Sequence, residues 1–319
     1  MSMRFNIHDG RYRSLIIFLL CIVSQWGSQS ARGDSKAVTI RVAAVSFVPK
    51  KFDLPGNADK LARLFRLAKQ GGAKIAVAPE GALDGYVVNE IIAGLVAKQK
   101  MNEVAIPIDH KTIRRFQTLA QQLKLCLVFG FAEQIDNNVF NCAVFIDDTG
   151  KICGKYHKMQ FAEGYDPSWW FNRLGRRSRA FDTPYGRCGI MICNDRWNPV
   201  LAQIPVLDGA QFLLIPAFGS RSKSQDEAVL SRGRENNVPI VEANVGVSLI
   251  VNENKIVAVD RQWEGITFAE ITIPPQSAAK PIKRDEVERQ FLEWREQEMQ
   301  RRLKLRQQRL GEKEGKREQ

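Results

Sequence analysis

Three polar residues stand at the ends of apolar runs that lie far apart along the chain. Glu80 closes the run 74–79, Lys158 follows the run 152–156, and Cys193 ends the run 188–193. Each residue type supplies one part of an acyl-transfer reaction. A thiol attacks well only as thiolate, and its ordinary pKa of about 8.5 means it needs help at neutral pH. A carboxylate can take that proton and later hand it to a leaving amine. An ammonium can face the oxyanion of a tetrahedral intermediate, aided by the backbone N–H of the residue after the nucleophile, here Asn194. One residue of each type is the minimum for cleaving an amide or a nitrile without histidine. Histidine is scarce: only His8, His110 and His157 occur, so a Cys-His protease site or a His-rich metal site is poorly supplied. No metal and no cofactor are expected.

Each of the three also has a plain structural explanation. Cys193 could be an inert strand cysteine, as Cys126, Cys142 and Cys153 are expected to be, with Cys188 structural at the start of its strand. Glu80 after Pro79 could cap a helix, and Lys158 could be a solvated loop lysine. His157, beside Lys158, is expected to point away. What weighs against these explanations is the sequence around each residue.

The segments Pro79-Glu80-Gly81-Ala82-Leu83-Asp84-Gly85-Tyr86, Gly154-Lys155-Tyr156-His157-Lys158 and Gly189-Ile190-Met191-Ile192-Cys193-Asn194-Asp195-Arg196 occur in this order. Further segments are Gly209-Ala210 before Leu214-Ile215-Pro216, then Arg232-Gly233-Arg234-Glu235-Asn236, then Ala243-Asn244. With these the chain resembles the nitrilase superfamily of carbon–nitrogen hydrolases over roughly residues 38–272. The resemblance implies an α/β fold, a four-layer αββα sandwich, with a Glu-Lys-Cys triad of Glu80, Lys158 and Cys193. It also implies a second glutamate near the lysine, matched here by Glu163, and assembly into a homodimer or larger homo-oligomer. Cys193-Asn194-Asp195-Arg196 is similar to the amidase and N-carbamoyl amino-acid amidohydrolase branch, where arginines after the nucleophile bind a substrate carboxylate. On that pattern Arg196 is a candidate substrate-binding residue. An ion pair that braces the turn is an equal alternative for it. Trp197 stands where a second arginine would be, Gln160 replaces a common histidine, and Val200 follows Pro199 in place of glutamate. The expected partner is a small amide or carbamoyl substrate. Nitrile hydrolysis, acyl transfer to an amine, and a catalytically silent binding protein stay open on the same fold.

The elements that must position these residues can be read from periodicity. Strands are expected at 37–45, 74–79, 126–129, 188–193, 212–216 and 240–244. Hairpins are expected over 141–156, turned at Asp147-Asp148-Thr149-Gly150, and over 247–259. Helices are expected at 57–70, stopped by Gly71-Gly72, and at 88–99, 111–123, 199–208 and 224–237. Alternating strands and helices with hairpins argue for a mixed α/β sandwich with helices outside. Residues 37–274 form the expected catalytic domain.

The two ends differ from this middle. Arg4, Arg11 and Arg13 precede an apolar run at 15–23, and small and polar residues follow, the order of a secretory signal over 1–31. The run is too short for an easy membrane span, so export after cleavage near Ala31 is expected. Removing it leaves five cysteines, an odd number, so at least one thiol should be free of intramolecular pairing. Residues 275–319 form a charged tail; from 280 onward it holds thirteen Lys and Arg against nine Asp and Glu. It is expected to be a solvated or partner-bound helix that frays from Gly311. The net charge of +12 is dispersed among acidic residues through the middle of the chain, without aromatic interleaving or a recognition helix, which argues against nucleic-acid binding.

Overall fold

In the computed structural model, which describes residues 36–161 and 173–315, the first apolar run forms strand β1 (Val38–Ser46). Helix α1 (Leu54–Gln70) follows. It starts three residues earlier than its apolar spacing suggests, because Asp53 caps it by accepting from Gly56 N at 3.0 Å. Then come β2 (Ile75–Val77), the short helices α2 (Val88–Ile92) and α3 (Met101–Val104), and α4 (Lys111–Leu123). The single helix expected at 88–99 is broken: α2 stops before Gly94, whose φ is +71°. Next are β3 (Cys126–Ile135), β4 (Asn138–Ile146), β5 (Ile152–His157), β6 (Phe181–Thr183) and β7 (Gly186–Ile190). The chain continues through α5 (Pro199–Leu207), β8 (Phe212–Ala217), α6 (Lys223–Asn236) and β9 (Ile240–Asn244). It then forms β10 (Val247–Asn252), β11 (Lys255–Asp260), β12 (Gly265–Ile273) and α7 (Pro281–Gly315).

The strands make two six-stranded mixed sheets, ordered β12-β1-β2-β3-β4-β5 and β11-β10-β9-β8-β7-β6. Period-two side-chain alternation explains the layering. Val42 and Ala44 of β1, and Cys126 and Val128 of β3, enter the core shared with the second sheet. Their neighbours Ala43, Val45, Leu127 and Phe129 face outward, where Leu61, Phe65 and Phe116 of α1 and α4 cover them. Phe116 and Phe129 pack with ring centroids 4.7 Å apart. Helices α5 and α6 cover the other sheet through Leu201, Ala202 and Val229. The result is the expected αββα order of layers.

Two strands were not foreseen. β12 pairs antiparallel with β1 along its whole length, Val38 opposite Ile273 and Ser46 opposite Gly265. Its alternation breaks at Ala269-Glu270, so the pattern alone does not mark it. β6 has three residues, too few for a periodic signal. The expected strand 188–193 ends at Ile190, and Cys193 lies instead in a 3₁₀ turn, Cys193–Trp197. The tail also differs, since α7 stays helical past Gly311 and buries Phe291 against the same core. The expected signal, 1–31, and Glu163 lie outside the described residues.

Candidate active site

Glu80 is placed by β2, which delivers Pro79 and then the carboxylate to the sheet rim. Strand β3 runs directly beneath it, and only glycine fits there: a Cβ on Gly130 would lie 2.6 Å from the Glu80 Cα. The Glu80 side chain is fully buried. Its Oε1 accepts from Lys158 Nζ at 2.7 Å and from Asn141 Nδ2 at 2.6 Å, and its Oε2 accepts from Phe218 N at 3.0 Å.

Lys158 is the first residue beyond β5 and is equally buried. Its backbone is held from two sides, its N–H donating to Asn141 O at 2.9 Å and its carbonyl accepting from Gly175 N at 2.8 Å. The ammonium also faces the ring of Tyr86, 5.7 Å from its centroid. Burying an ammonium and a carboxylate is costly unless they are paired and hydrogen-bonded, as these are.

Cys193 sits at the start of the 3₁₀ turn with φ +47°, a conformation that costs a side-chain-bearing residue about 1–2 kcal/mol. Its Sγ donates to Phe218 O at 3.6 Å. The backbone of one residue, Phe218, therefore meets both Cys193 and Glu80, and with the Lys158–Glu80 pair it brings all three sequence-predicted residues together. Burial first, and the Glu80 charge second, push the Cys193 thiol up to about 12; Arg196 and Lys158 pull the other way. Cys188 lies in the middle of β7, fully buried, with its thiol pushed well up by burial. Cys126, Cys142, Cys153, Cys188 and Cys193 all carry free thiols.

The residues after Cys193 fasten its turn. Asn194 donates through Nδ2 to Phe161 O at 3.1 Å. Asp195, to which the sequence assigns no role, is fully buried and accepts from Tyr156 Oη and Ile192 N at 2.9 Å and from Gln160 N at 3.0 Å. It thus ties the Cys193 turn to both sides of Lys158. Arg196 is 1% exposed, and its Nη1 pairs with Glu242, itself fully buried on β9. Glu242 accepts from Gln225 Nε2 at 2.9 Å, and Asn244 Nδ2 donates to Gln225 Oε1 at 3.0 Å. Asn244 in turn accepts from Gly219 N at 2.9 Å, beside Phe218. Asn141 and Glu242 carried a weak signal in the sequence, each a polar residue in an otherwise apolar stretch, whereas Gln225 stands among polar neighbours and carried none.

Among the described residues, Glu133, Cys142 and His157 bring possible metal-ligand atoms within 4.8 Å of one another. Sequence spacing gave no hint of this Cys/His pairing, because it forms across strands, Cys142 opposite His157. The Glu133 carboxylate is already engaged by Lys155 and by His157, so an ion would have to displace Lys155 and break the Glu133–His157 contact.

A family profile described as carbon-nitrogen hydrolase matches residues 41–280. The chain is 32% identical over 221 residues to N-carbamoylputrescine amidase of Solanum tuberosum, covering 68% of this chain and 71% of that protein. It is 28% identical to a citrullinase of Francisella tularensis, covering 73% of this chain and 88% of that one. In structure it is similar to an amidase from Nesterenkonia sp., with TM-score 0.62 at 18% identity, covering 74% and 91% of the two chains.

Proposed function

The chain belongs to the carbon–nitrogen hydrolase family, and from that premise we propose that Cys193, Glu80 and Lys158 carry out hydrolysis of a small amide or N-carbamoyl substrate. The Cys193 sulfur attacks the carbonyl carbon while its proton passes to Glu80. Lys158 and the Asn194 N–H face the developing oxyanion. Glu80 returns the proton to the departing nitrogen, the C–N bond breaks, and an acyl thioester remains on Cys193. Water, giving its proton to Glu80, then cleaves the thioester and releases the acid and the thiol. Glu163 serves this site as the second glutamate by resemblance alone. The observation that carries the proposal is the shared residue Phe218, whose backbone N–H holds Glu80 and whose carbonyl holds Cys193. Pairing of Arg196 with Glu242 supports a bracing role for that arginine over contact with a substrate carboxylate.

The test is ammonia release from a panel of amides, N-carbamoyl amines and acids, and nitriles. Cys193→Ala should abolish turnover on whichever class is cleaved, because no other group there can form the covalent bond. Cys188→Ala should keep most of it. Near-normal rates from the Cys193 variant would overturn the assignment.

We propose further that residues 1–31 direct export and that the mature protein self-associates. The charge-then-apolar-then-small order supports the first. Exposed Val257 and Val259 on the edge strand β11, with Trp263 nearby in sequence, support the second. Among the described residues no helix is long and apolar enough to cross a membrane.

A further inference from the structure

The C-terminal helix lies wholly beyond the matched family region, yet one of its side chains reaches the backbone next to Lys158. Along α7, Glu288, Phe291 and Arg295 are buried at spacings of three and four, one face of a helix, while Arg289 and Glu293 pair in solvent. Phe291 anchors this face in the core. Glu288 accepts from Ser178 N and from Arg179 Nη1, both at 2.7 Å. Arg295 Nη1 donates to Met159 O at 3.0 Å and to Gly175 O at 2.7 Å.

Those two carbonyls belong to the chain leaving Lys158 and to the chain returning beside it. Gly175 N donates to the Lys158 carbonyl, and the approach is so close that a Cβ on Gly175 would lie 2.2 Å from the His157 carbonyl oxygen. Arg295 therefore bridges the two strands of backbone immediately around the lysine. We propose that Arg295 is a positioning residue for Lys158, which makes α7 part of the catalytic unit; this rests on the assignment of Lys158 made above. A planar guanidinium can hold two carbonyls in fixed relation. Burying its charge is costly without such bonds, so the pair of carbonyls and the arginine hold one another. Loss of the bridge frees the Lys158 backbone on one side, and the ammonium then no longer meets the oxyanion in register.

The experiment uses the full chain with Arg295→Ala, Arg295→Lys and the solvent-facing control Arg289→Ala. Arg295→Ala should lower kcat by about 10- to 100-fold, the scale of a small misplacement of a catalytic group, with KM changed little. Added guanidinium should recover part of the loss. Arg295→Lys should fall between, and Arg289→Ala should match the unaltered protein. Hydrogen exchange at the Gly175 amide reads the same bridge without any turnover, and should quicken in Arg295→Ala while the melting temperature shows the bulk still folded. Unchanged kcat, unchanged Gly175 protection, or a loss that follows unfolding and ignores guanidinium would each overturn the proposal. Turnover surviving Cys193→Ala would instead overturn the triad, and the exchange result would still decide whether Arg295 holds the segment.

Discussion

A thiol pushed up to about 12 is protonated at neutral pH, so Cys193 cannot wait as a thiolate. In the proposed mechanism its proton leaves as the substrate arrives and passes to Glu80, whose charge already acts on the thiol. The same burial makes charge neutrality at the site a matter of stability. Arg196 and Glu242 are both removed from water, and removing one partner of such a pair strands the other. Arg196→Met should therefore cost about 3–5 kcal/mol in urea unfolding, and adding Glu242→Gln should recover much of it. If Arg196 instead binds substrate, the single variant should raise KM for carboxylated substrates far more than for neutral amides, with little loss of stability. Equal kinetic losses on both classes together with the stability loss would assign it to bracing.

Between residue and fold stands the turn at Cys193–Trp197. The apolar strand β7 ends at Ile190, and the positive φ at Cys193 redirects the chain so that Sγ reaches Phe218. Asp195 fastens that turn to Tyr156 and Gln160, on either side of Lys158, and so couples Cys193 to the lysine. Burial raises the Asp195 carboxyl to about 7, against the pull of the Ile192 N–H, the Lys158 charge and the Tyr156 hydroxyl. A carboxyl raised in the fold adds stability while protonated, below its unfolded value near 3.8, and loses that contribution as pH rises through about 7. Asp84, raised to about 6, has the same sign. The urea midpoint of the unaltered protein should fall relative to that of Asp195→Asn between about pH 4 and 7.5. A difference that stays flat over this range would remove Asp195 from the pH dependence. This level was only partly legible beforehand: the motif marked Cys193, but an apolar run does not show where a strand gives way to a turn.

At the scale of the whole molecule, two sheets share one core and the helices cover their outer faces, leaving β11 as an open edge with Val257 and Val259 exposed. An apolar edge of this kind is either paired or prone to aggregate. The exported protein should begin near Ala31 by N-terminal sequencing and scatter light as a dimer or larger species. Replacing Val257 and Val259 with lysine should then yield monomers. Met1 on the mature protein would defeat the export proposal, and a monomer at tens of micromolar would defeat self-association. Periodicity exposed most of this architecture because each buried strand and amphipathic helix carries its own pattern. β12 escaped because its pairing with β1 joins residues more than two hundred positions apart.

The identities of Glu80, Lys158 and Cys193, and the chemistry open to them, were determined by the sequence, because reactivity belongs to the side chain and each stands in a distinctive local motif. Their convergence was decided by the tertiary structure. It depends on Gly130 admitting the Glu80 backbone, on the Phe218 backbone reaching both Glu80 and Cys193, and on Asn141 holding Glu80 and Lys158 together. None of these contacts is local, so no periodicity announces them. The same reason applies to Arg196, whose type suggested an anion and whose partner, Glu242, lies 46 positions away on β9. It applies also to the charged tail, where composition suggested solvent and the fold placed Phe291 in the core and Arg295 beside the lysine.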